Sequence, residues 1–110
     1  MNWDEKSLLI ALVEISVLKN TIEFSIPIEL LLLSATFRSD QVDTLRKSLD
    51  GLRDKHSQIK EWIEENGNIN ISLSDRFSTL QASDYEKEKL DERRIRRILL
   101  FKLYESYRSS

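Results

Sequence analysis

The densest run of reactive side chains is Arg93-Arg94-Ile95-Arg96-Arg97, four guanidiniums within five residues. Guanidiniums grip phosphates and carboxylates through paired, fork-like contacts, so this run is a basic patch able to clamp an anionic partner. Asp91 lies three residues before Arg94 and Glu92 four before Arg96, which is also the spacing of ion pairs along one helix face. The alternative is therefore a solvated, partly self-neutralised helix. A second set consists of Arg38, Gln41, Thr44, Arg46, Lys47 and Lys60. Cationic groups of this kind touch phosphates, and amide and hydroxyl groups reach base edges. The competing reading is an ordinary polar helix face.

Catalytic chemistry finds no foothold. The 110 residues include no cysteine and one histidine, His56, which removes disulfides, thiolate nucleophiles and Cys-based zinc sites and leaves His56 without companions for metal or triad chemistry. Glycine-rich phosphate loops and paired-histidine metal motifs are absent from the text. No enzyme activity, cofactor or metal is expected. The 17 Lys and Arg against 19 Asp and Glu leave a net charge of −2, too acidic for a generally basic nucleic-acid binder, so any DNA contact must come from a local face. The acidic start and the charges Glu14 and Lys19 within the first apolar run fit neither a signal peptide nor a membrane span, and the expectation is a cytoplasmic protein with no membrane contact.

The elements that must position these groups can be read from periodicity. The first helix is predicted from about Asp4 to Lys19, ending at Asn20, with apolar residues around nearly its whole circumference. Thr21–Ile26 alternates like a short strand, and Pro27 closes it and opens a second helix through Ala35. Ser39-Asp40 would cap a third helix, whose core positions Val42, Leu45, Leu49 and Leu52 recur at three and four residues. Two continuations then compete. Helical spacing runs on through His56, Ile59 and Ile63, while Asn66-Gly67 between Gln58–Glu64 and Asn68–Leu73 reads as a two-residue hairpin. Ser74 or Asp75 would cap a short turn through Phe77 and Leu80, and Ser83-Asp84 would start a C-terminal helix over about 83–108.

The stretch Phe24-Ser25-Ile26-Pro27-Ile28-Glu29-Leu30-Leu31, a turn, then Ser39-Asp40-Gln41-Val42-Asp43-Thr44-Leu45 with Leu49, Gly51 and Leu52, resembles the winged helix-turn-helix superfamily in its spacing over residues 5–74. The resemblance implies a mainly α fold, a winged helix-turn-helix with a small β-hairpin, in one domain with a core over about 5–80. It implies that the third helix meets the major groove of double-stranded DNA. Arg38, Arg46, Lys47 and Lys60 would then contact phosphates, and Gln41 and Thr44 would read bases.

Apolar surplus adds a second expectation. Segments 8–18, 26–35 and 98–107 are apolar over most of their circumference, more than one chain of this size encloses. Pairing the N- and C-terminal helices across a two-fold axis predicts a homodimer through Leu8, Leu12, Ile15, Ile98, Phe101 and Tyr104. The leading expectation is a homodimeric transcriptional regulator. The runner-up is a small helical interaction subunit with a protein partner, in which residues 40–65 form one long helix.

Overall fold

The first helix begins where Asn2 and Glu5 can satisfy each other's backbone. The Asn2 side chain accepts from Glu5 N at 2.8 Å and Glu5 Oε1 accepts from Asn2 N at 2.9 Å, a reciprocal cap that starts the helix one residue before the predicted Asp4. Its far end closes at Asn20, whose left-handed backbone (φ 54°) stops the winding. The computed structural model describes residues 1–77. They form α1 (Trp3–Lys19), β1 (Glu23–Pro27), α2 (Ile28–Ser34), α3 (Val42–Asp54), β2 (Ile59–Glu65) and β3 (Asn68–Leu73), followed by a single 3-10 turn at Asp75–Phe77. The predicted C-terminal helix lies outside the described residues.

The mainly α class is overturned. The described chain is a mixed architecture of three helices and a three-stranded antiparallel sheet in the order β1-β3-β2. Reading each strand locally hides this, because β1 gains its standing only by pairing with β3 more than forty residues on. The continuous 40–65 helix is also absent. α3 ends at Asp54, Ser57 takes a left-handed φ of 53°, and Asn66 and Gly67 follow with φ of 53° and 78°. Two consecutive positive values are what a tight hairpin turn requires and what Asn-Gly tolerates best. The expected Ser39-Asp40 cap is displaced as well: Gln41 is the N-cap of α3, and its side chain accepts from Arg38 N at 2.7 Å.

Alternation then sorts the sheet into two faces. Phe24, Ile71 and Trp62 form one cross-strand row on the core side and Ile26, Ile69 and Glu64 the next, while Glu23, Ser72 and Glu61, and then Ser25, Asn70 and Ile63, lie on the opposite face, where Ser72 is buried between its two neighbours. Leu8, Leu12, Leu31, Leu45, Leu49, Leu52, Ile69 and Leu73 fill the interior between sheet and helices. Each fully buried leucine contributes about 1.5–3 kcal/mol relative to exposure.

Gly51 lies where α3 passes the cap of α1. A Cβ at this position would collide with Oε2 of the buried Glu5, while His56 Nε2 stands 3.5 Å from Glu5 Oε1. Two effects therefore oppose each other in Gly51→Ala. Alanine is about 1 kcal/mol better than glycine inside a helix, but the methyl displaces Glu5 from a cap worth about 0.5–2 kcal/mol. Gly51→Ala should lower stability in the native chain and raise it by about 1 kcal/mol in a Glu5→Ala background. Urea titration of both pairs reads the two signs, and one sign in both backgrounds would remove the proposed collision.

Candidate functional site

The amphipathic α3 is the element on which the expected contacts converge. Leu45, Leu49 and Leu52 turn to the core. At about 100° per residue, Asp43, Lys47, Asp50 and Asp54 lie within about 50° of the opposite direction. The solvent ridge of this helix thus carries three carboxylates and one ammonium.

Its two arginines turn sideways. Arg46 donates from Nε to Glu64 Oε1 at 2.9 Å and from Nη2 to Glu64 Oε2 at 3.1 Å, a two-pronged pair with β2, while Nη1 reaches Asp43 at 2.9 Å. This holds the Arg46 guanidinium above its ordinary range, chiefly through the Glu64 hydrogen bonds, and holds the Glu64 carboxyl below its own. Arg53 donates to Asp54 at 2.9 Å and Asp50 at 3.1 Å, and the Asp54 carboxyl is lowered by Arg53. Trp62 Nε1 donates to the same Asp50 oxygen at 3.1 Å. Glu64 and Trp62 lie on the core side of the sheet by register, so β2 is stitched along the flank of α3.

The other expected DNA contacts are dispersed. Arg38 pairs with Asp40 at 3.2 Å, and Gln41 is occupied with the Arg38 backbone. Thr44 is half-buried and, with Lys47, lines a cleft beside Asn2, Asp4 and Asp54 at the start of α1. Lys60, at the irregularity in β2, donates to Asp75 at 2.6 Å. That bond, reinforced by Glu23 and Glu61, raises its ammonium above the usual lysine range. Only Lys47 among the six points straight outward from α3. Arg93, Arg94, Arg96 and Arg97 lie outside the described residues.

The expected dimer interface also requires correction. Leu8, Leu12 and Ile15 are at most 3% exposed and belong to the chain's own core, because α3 and the sheet cover that side of α1. The large apolar side chains that α1 leaves in solvent are Trp3, Ile10 and Leu18. Ile98, Phe101 and Tyr104 lie outside the described residues.

Glu64, Asp50 and Trp62, which organise this surface, were not among the expected contacts. Their signal was the period-two alternation of Trp62 and Glu64, legible only once the hairpin is chosen over the helix. Among the described residues, no group of three or more His, Asp or Glu side chains is placed to hold a metal ion, and no helix is long and apolar enough to cross a membrane. Comparison of the chain with protein-family models, curated proteins and solved structures finds no match.

The Arg46 pair sets a pH dependence. A carboxyl whose folded pKa is depressed contributes stability that is present above its unfolded pKa and lost as pH falls through the folded value. In Arg46→Ala, the Glu64 carboxyl should titrate upward toward the ordinary range, and the acid-side loss of stability assigned to it should shrink. A carboxyl-detected NMR titration reads the shift; an unmoved Glu64 would mean that the pair does not form in solution.

Proposed function

We propose that this chain is a winged-helix docking domain that works by binding a partner protein, with its acidic surface rather than a basic one as the point of contact. The order helix, strand, helix, helix and hairpin supports the winged-helix reading. The choice of protein over DNA is carried by one observation, the outward ridge of α3 with Asp43, Asp50 and Asp54 against Lys47. A duplex carries one negative charge per about 1.7 Å of its axis, and affinity for it comes largely from cations that displace its counterions. A helix entering the major groove with this ridge brings toward phosphates three carboxylates, each paired with Arg46 or Arg53 of the same helix. Arg46 and Arg53 could serve there only by leaving Asp43, Glu64, Asp50 and Asp54.

The wider charge supports the same choice. The acidic excess is that of residues 1–77, with 9 Lys and Arg against 13 Asp and Glu, whereas the whole chain holds 17 against 19 and residues 78–110 are net basic. β2 adds Glu61, Glu64 and Glu65 to a single Lys60. Protein contact needs no such cation lattice, and electrostatic complementarity to a basic partner would steer the encounter.

Fluorescence anisotropy of a labelled random-sequence duplex, titrated with the full chain at low and at physiological salt, separates the readings. The expected outcome is no saturable, salt-dependent binding in the non-specific range of about 10⁻⁴ to 10⁻⁶ M. Salt-sensitive binding that Arg46→Ala and Lys47→Ala weaken would overturn the protein reading in favour of a DNA-binding regulator.

A further inference from the structure

The solvent face of the sheet is not flat. Glu23, Glu61, Ile63, Asn70 and Ser72 line an open groove of about 400 Å³ across β1, β3 and β2. Ile63, 55% exposed, stands as an apolar wall in the row Ser25, Asn70 and Ile63. The next row places Glu23 and Glu61 on either side of Ser72, and Ser72 Oγ lies 3.5 Å from Glu23 Oε1. By alternation, Glu65 extends the same face toward the hairpin turn.

This face already holds a cation of its own chain. Lys60 Nζ sits 2.6 Å from Asp75 and within the influence of Glu23 and Glu61. Glu23 and Glu61 are the charged groups of the groove's lining, with Lys60 and Asp75 paired beside them and Glu65 further along the face, a local excess of acid over base. An exposed aliphatic side chain one row from a pair of carboxylates is suited to a ligand that presents an apolar group next to cationic ones.

We infer that this groove is the docking site of the partner, and that its occupant is an extended, Lys- or Arg-rich protein segment that lays one apolar side chain against Ile63 and its neighbouring cations beside Glu23 and Glu61, in the adjacent row of the sheet. The inference rests on the protein-docking reading and gives it a location and a partner chemistry. The register supplies the geometry. Glu23 and Glu61 are both level with Ser72, one strand to each side, and adjacent strands are about 4.8 Å apart, so the two carboxylates flank a channel about two strand spacings wide. That width accommodates one extended chain. Both edge strands also carry obstacles to strand addition, Pro27 in β1 and the irregularity at Lys60 in β2, which favours occupation of the face over extension of the edge.

The test uses the full, isotope-labelled chain and a heptapeptide of alternating Lys and Leu, with a Glu-for-Lys peptide as control. Amide shifts on addition of the basic peptide should map to Ile63, Asn70 and Ser72, weaken with added salt, and be absent with the control. Glu23→Gln/Glu61→Gln should lower the affinity at least about fivefold, as expected for the loss of two screened surface charge contacts. Both glutamates are exposed and outside the core, and an unchanged spectrum elsewhere shows that the variant is folded. Shifts confined to the α3 ridge would overturn the groove while leaving the protein reading intact. Shifts at the groove that grow with protein concentration without peptide would assign it to a second copy and overturn the basic-segment occupant. No shift with either peptide would also overturn it, and the duplex titration then decides separately whether the protein reading survives.

Discussion

The strand Asn68–Leu73 bears on every other element. Among the described residues it is the only strand hydrogen-bonded on both sides, to β1 and to β2, and its Ile69, Ile71 and Leu73 are buried. Both ends of its pairing with β1 are tied by further backbone bonds, Leu73 N to Ile22 O at 2.9 Å and Ile28 N to Gly67 O at 3.0 Å. The second of these joins the hairpin turn to the first residue of α2. A one-residue slip would turn Ile69 and Ile71 to solvent and Asn70 to the core, so the register is held by burial as much as by hydrogen bonds.

This central strand also settles what α3 can offer. Because β2 is fastened to β3, its core-side residues Trp62 and Glu64 arrive beside α3, where they take Asp50 and Arg46 as partners. Exposed ion pairs contribute little to stability. Their larger effect is on presentation: the arginines that would give α3 a cationic edge lie along its flank, and carboxylates occupy its crest. The same alternation sends Glu61, Ile63 and Glu65 to the other side of the sheet, so a single strand supplies the stitching on one face and the acidic groove on the other.

Much of the local structure could be read directly. The extent of α1 to within a residue, the existence of β1 (expected over Thr21–Ile26, found over Glu23–Pro27), the opening of α2 after Pro27 and the apolar stripe of α3 follow from spacing, because each depends on residues within a turn or two of one another. The cap of α3 was misplaced, since Gln41 and Ser39-Asp40 are all able to accept a backbone hydrogen bond and only the path of the turn selects among them. The competition between a long helix and a hairpin over 54–73 stayed open for a similar reason. His56, Ile59 and Ile63 keep helical spacing while Ile59, Glu61 and Ile63 also alternate, and the two periods coincide over so short a segment.

The sequence alone determined the absence of cysteine chemistry, the single histidine, the near balance of charge and the existence of an amphipathic third helix, because these depend on composition and on neighbours along the chain. The tertiary structure decided which charges meet. Glu64 reaches Arg46 across 18 positions, Asp75 reaches Lys60 across 15, and Glu23 and Glu61 come to flank Ser72 through two strand pairings. Surface potential is a sum over distances in space, and those distances are set by the pairing of β1 with β3, which no local pattern encodes, and by the Asn66-Gly67 hairpin, whose local signal competes with a helical one.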